Sequence, residues 1–75
     1  MDIDETIKKL DYDIQQIDHS IDILNYLLDS DFPSPNGKTI ISNNVTELWE
    51  VQHHLLSLRA DLLKQEKQNN TIKTL

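Results

Sequence analysis

The chain has 75 residues, no cysteine, 13 acidic against 7 basic side chains and a net charge of −6. That is one small domain, with no disulfide or thiolate metal site to brace it. A core this small leaves little volume for a substrate pocket, so idealised helix packing or self-association has to provide stability. The charge is unevenly placed. Residues 1–31 carry nine acids against Lys8 and Lys9, a net −7, and the remainder is close to neutral. An acidic first segment disfavours direct contact with nucleic acid or an anionic membrane and favours a protein with a basic or mixed surface. No apolar run approaches a membrane span, and no charged-then-apolar signal opens the chain. A cytoplasmic protein is expected. The abundance of Ile, Asn, Asp and Lys suggests a bacterial or phage source.

The first predicted element is a helix over about 2–30. Ile3, Ile7, Leu10, Ile14, Ile17, Ile21, Leu24 and Leu28 recur at alternating steps of four and three, the seam of an amphipathic helix made to lie against another. Asp2 suits the N-cap, with Glu5 three residues on as in a capping box, and both Asp4 and Glu5 suit the positive end of the helix dipole. The stop is expected near Ser30, because Phe32 precedes Pro33.

Residues 31–43 read as the loop. Pro33 and Pro35 stiffen it, and Asn36-Gly37 has the composition of a tight turn. Phe32, Ile40 and Ile41 are apolar and are expected to cover the open end of the helix pair, with a partner contact as the alternative.

The second helix is expected over about 44–68, capped by Asn44 with Glu47 three residues later, and followed by a frayed tail over 69–75. At 100° per residue, Leu48, Leu55 and Leu62 share one line. Val51 and Leu58 lie to one side of it, and Trp49, Leu56 and Leu63 to the other. The resulting apolar arc, about 160° wide, exceeds the ~100° stripe of an ordinary surface helix. One neighbouring helix cannot cover it.

The predicted fold is therefore all-α: a single domain over 1–75, an antiparallel two-helix hairpin that dimerises into a four-helix bundle. Counting from the turn sets Leu28 near Val45, Leu24 near Leu48 and Trp49, Ile17 near Leu55 or Leu56, Ile14 near Leu58 or Arg59, and Leu10 near Leu62 or Leu63. It also sets Asp4 and Glu5 beside Lys64 and Lys67. Self-pairing of the first helix is disfavoured, because Asp4, Asp11, Asp13 and Asp18 flank its seam. The expected dimer interface is Leu48, Trp49, Val51, Gln52, Leu55, Leu56, Arg59, Leu62 and Leu63. Arg59 is expected to snorkel or to pair with Asp11, Asp13 or Asp18, and Gln52 to meet its own copy across the dimer axis. Trp49 reads as a cap over the bundle end or as an interface anchor.

Signals resembling chemistry fail on geometry. Glu50 and His53 have the Glu-x-x-His spacing of carboxylate-bridged metal bundles, but both point away from the apolar arc. His53 and His54 diverge by about 100° and cannot chelate together from a regular helix. Ser57, His53 and Asp61 share one exposed helical face with no oxyanion hole. Gly37-Lys38-Thr39 lacks the earlier glycine and the parallel sheet of a phosphate loop. No catalytic residue, metal or cofactor is expected.

What remains is surface. Asp11, Tyr12, Asp18, Asp22, Tyr26, Asp29 and Phe32 form the candidate partner-binding set, and Tyr12, His19 and Tyr26 share the outer line of the first helix. The leading expectation is a non-enzymatic, acidic, helical interaction module, a regulator or inhibitor of a protein partner. The alternatives are an acidic mimic of nucleic acid and a structural scaffold or adaptor.

Overall fold

The computed structural model describes the backbone of residues 2–74 and the side chains of residues 2–68. Two helices pack against each other: α1, Ile3–Asp29, and α2, Pro35–Thr74. No described helix is long and apolar enough to cross a membrane.

α1 follows its sequence closely. Asp2 is the N-cap, and its carboxylate accepts from the Asp4 amide at 3.4 Å. The Thr6 amide and hydroxyl both donate to the Asp2 carbonyl at 3.0 Å, closing the first turn. Every member of the Ile3–Leu28 series is buried or half-buried, and Ile7 and Ile21 are the most enclosed. At the other end Ser30 closes the helix, its hydroxyl donating to the Leu27 carbonyl at 2.7 Å.

The connection is shorter than the sequence suggests. α2 begins at Pro35, where the sequence points to a loop as far as 43. The reason is Ser34. Its hydroxyl accepts from the Gly37 amide at 3.1 Å, and its carbonyl accepts from the Lys38 amide at 2.9 Å. Ser at the N-cap followed by Pro at the first helical position is a helix-starting pair, because proline brings the right φ and lacks only an amide that would go unbonded. Asn36-Gly37 consequently forms no tight turn, and no described residue, Gly37 included, has a positive φ. Gly37 instead gives the cap room: a Cβ there would sit 3.3 Å from the Ser34 hydroxyl.

α2 is also longer at its far end. Its backbone stays helical through Thr74, across most of the expected frayed tail, and Leu75 lies outside the described residues. No glycine or proline follows Gly37, so a helix once nucleated propagates cheaply. At 1.5 Å per residue, the 40 residues of α2 reach about 60 Å and the 27 of α1 about 40 Å. The molecule is accordingly a rod, 61 × 18 × 15 Å, with α2 running past α1 at both ends.

The apolar residues of the connection do not close the bundle end. Phe32 is 87% exposed and Ile40 is also exposed, while Ile41 is half-buried on the seam. The expected cover is absent because the early start of α2 carries Phe32 and Ile40 past the last turn of α1. Trp49, at 52% exposed, does not cap the core either.

Candidate functional site

Beyond its first turn, the least exposed described positions of α2 are Ile41, Val45, Leu48, Gln52, Leu55, Arg59, Leu62 and Glu66. They alternate in steps of four and three, as the seam of α1 does. The seam of α2 therefore contains a column of mixed chemistry, Val45, Gln52, Arg59 and Glu66, each a heptad from the next. A heptad is two turns, so the same cross-helix pairing recurs about every 10.5 Å.

Gln52 is 4% exposed and is the buried polar residue among those described. Its amide nitrogen donates to the Asp18 carboxylate at 2.7 Å and to the Ile14 carbonyl at 3.2 Å. The Gln52 amide nitrogen thus has two acceptors on α1 of its own chain. One heptad on, Arg59 Nε donates to the Asp11 carboxylate at 2.5 Å, an ion pair about two-fifths exposed on both sides. Another heptad on, Glu66 meets Asp4. The hydrogen bond between these carboxyl groups is the main force holding the Glu66 carboxyl above its ordinary range. Some loss of hydration and the charges of Asp4 and Asp2 add to it. Asp4 therefore faces an acid on the same turn of α2 that carries Lys64 and Lys67.

These contacts establish which flanks adjoin. The edge of α1 carrying Asp4, Asp11 and Asp18 lies against the Gln52–Arg59–Glu66 column. In an antiparallel pair the next column of α2 on that side is Trp49, Leu56 and Leu63, and the next on α1 includes Asp22 and Asp29. That α1 column also holds Lys8 and Gln15; this is the Trp49 side of the rod. The other side carries Val51 and Leu58 from α2, with Leu27 and Ile23 from α1. Trp49, Leu56, Leu63, Val51, Leu58 and Ile23 are all exposed. α1 covers the centre of the wide apolar arc and leaves both flanks open.

Each side has a shallow recess. On the Trp49 side, Trp49, Thr46, Glu50, His53 and His54, all of α2, border about 360 Å³. On the other, Leu24 of α1 and Leu48, Val51, Asn44 and Glu47 of α2 border about 340 Å³. Leu24 and Leu48 share that groove, as the counted register has it. Among the described residues, no three His, Asp or Glu side chains are grouped so as to hold a metal ion.

The expected dimer-interface set divides in two. Leu48, Gln52, Leu55, Arg59 and Leu62 turn toward α1, whereas Trp49, Val51, Leu56 and Leu63 are exposed. The partner-binding set divides as well: Asp11 and Asp18 are engaged by Arg59 and Gln52, while Tyr12, Asp22, Tyr26, Asp29 and Phe32 face outward. Glu66 is the seam residue that periodicity in apolar residues alone passes over. The unbroken heptad Val45–Gln52–Arg59–Glu66 is the signal that finds it. Ile23 is a second such residue, off the α1 seam and visible as surface only once the helices are paired. Comparison with known protein families, with curated proteins and with solved structures gave no match.

Proposed function

We propose that this chain is a non-enzymatic protein-interaction module that associates with a second copy into a four-helix bundle and binds a protein partner of basic or mixed surface. The observation that carries the proposal is the uncovered apolar surface on both flanks of α2. The chain exposes 5948 Å². A compact monomer of its 8.7 kDa exposes about 4,700 Å² by the usual scaling of surface with mass. The overhanging ends of α2 contribute part of the excess of about 1,200 Å². The remainder is of the order of the ~800 Å² per partner that a standard interface buries. Regulation or inhibition of the partner is the role suited to so small a module, since the surface offers shape and charge but no chemistry.

Light scattering across a dilution series tests the dimer: the expected mass is twice that of one chain. A fully folded single chain at high dilution overturns it. The acidic-mimic alternative has less support, because Asp11 is neutralised by Arg59 and the row of free carboxylates is broken there.

A further inference from the structure

We infer that Asn36 is a site of spontaneous covalent modification: its side-chain amide is lost through a cyclic imide formed with the Gly37 nitrogen, at a rate set by the Ser34 cap. This holds whatever the rod binds. Asn36 is the one asparagine of the chain followed by glycine. It is exposed in the first turn of α2, and its side chain makes no hydrogen bond among the described residues. Glycine has no Cβ to crowd a ring closing on its nitrogen.

Water is the only co-reactant. The Gly37 nitrogen gives up its proton to hydroxide and attacks the Asn36 Cγ. A new C–N bond forms there, the bond from Cγ to the amide nitrogen breaks, and ammonia leaves with a proton taken from water. Water then opens the ring at either carbonyl. Opening at the side-chain carbonyl leaves aspartate. Opening at the backbone carbonyl leaves isoaspartate, whose main chain runs through Cγ and carries an extra methylene. The net change is amide plus water to acid plus ammonia.

The fold controls the first step. After Asn25, Asn43 and Asn44 the next amide lies inside a helix and is committed to a carbonyl four residues back. The Gly37 amide is among the first of α2 and has no such carbonyl. Its partner is the Ser34 hydroxyl, at 3.1 Å. Ring closure needs the Asn36 ψ turned out of the helical well, so the first turn has to open, and that side-chain bond resists the opening. The two products act differently. Aspartate adds a negative charge at the positive end of a helix whose first turn has no acid, and strengthens its start. Isoaspartate cannot keep the helical repeat, so α2 then begins further along the chain.

The test incubates the full chain at neutral and mildly alkaline pH and follows it by intact mass and peptide mapping. The expected result is conversion at Asn36, faster at the higher pH, with aspartate and isoaspartate both in its peptide and far slower change at Asn25, Asn43 and Asn44. Ser34→Ala speeds conversion about fivefold, equivalent to ~1 kcal/mol of lost capping, and Ser34→Asp returns it to near the parent rate. Gly37→Ala slows it sharply, even though the added Cβ crowds the Ser34 hydroxyl and so works against the cap. Urea below the unfolding transition reads the same control without a variant: the Asn36 rate rises in step with exchange of the Gly37 amide. Conversion at Asn25, Asn43 and Asn44 as fast as at Asn36 overturns the inference, as does an Asn36 that stays intact in the folded chain and converts only when urea unfolds it. An Asn36 rate unmoved by Ser34→Ala, or flat as the Gly37 amide opens, overturns the control by the cap.

Discussion

The Gln52 amide stands 2.7 Å from the Asp18 carboxylate and bridges residues 34 positions apart in the chain. This polar contact lies within a seam whose other layers, from Ile7 to Leu28, are apolar on the α1 side. A buried polar residue of this kind costs stability and fixes one alignment. Gln52→Leu is therefore expected to raise the unfolding free energy, read by urea titration, by about 1 kcal/mol, since leucine fills the layer and Asp18 returns to water. The same change should loosen the register. Disulfide trapping between a cysteine at Leu24 and one at Ile41, Leu48 or Leu55, which leaves Gln52 and Asp18 in place, checks this: a mixture of registers is expected for the leucine variant and one register, Leu24 with Leu48, for the parent.

Arg59 and Asp11 form a half-exposed pair, so its contribution is small. Asp11→Asn is expected to cost ~0.5–1 kcal/mol in low salt and less in high salt. Arg59→Met keeps the packed stem and removes the charge. Its melting curve is expected to lie close to that of the parent and to lose part of the salt dependence.

Ser34 controls where α2 starts. Ser34→Ala removes the acceptor for the Gly37 amide and is expected to cost about 1 kcal/mol. Loss of helicity should be confined to the first turn, read by amide exchange at Gly37 and Lys38. Ser34→Asp restores the cap and is expected to recover that protection.

The Asp4–Glu66 contact gives stability an acid dependence. The folded chain holds the Glu66 proton more tightly than the unfolded chain does. Its favourable contribution is full below the unfolded carboxyl range and fades as pH rises through the folded value. Glu66→Gln is expected to remove that fading, so its stability near neutral pH should exceed the parent's and the two should converge in acid. Thermal melts across the acid-to-neutral range check this.

The hairpin and the α1 seam were legible because each rests on an uninterrupted apolar repeat. Three features escaped for physical reasons. The Ser34-Pro35 start was hidden by Asn36-Gly37, whose turn-forming composition is overruled once Ser34 caps the helix. The α2 seam includes Gln52, Arg59 and Glu66, and an apolar count centres the arc without them. The exposure of Phe32 and Ile40 follows from that early helix start. Of the surface, the outward positions of Tyr12, Asp22, Tyr26 and Asp29 were readable from the helix period. The division of the rod into two unlike sides needed the Gln52–Asp18 and Arg59–Asp11 contacts, because a sequence gives the columns but not which edges touch.

The reversal at Ser30–Ser34 also sets an order of assembly. Contacts next to it join residues close in the chain, the Gln52–Asp18 bond closes 34 positions, and the Arg59–Asp11 bond closes 48. Each layer shortens the loop that the following one must close, so the two helices come together like a zip drawn from the bend. Opening runs the other way, beginning at the Asp4–Glu66 end, where the contact weakens as pH rises. The molecule thus has a hinge end and a loose end, and proteases or unfolding forces should find the loose one first.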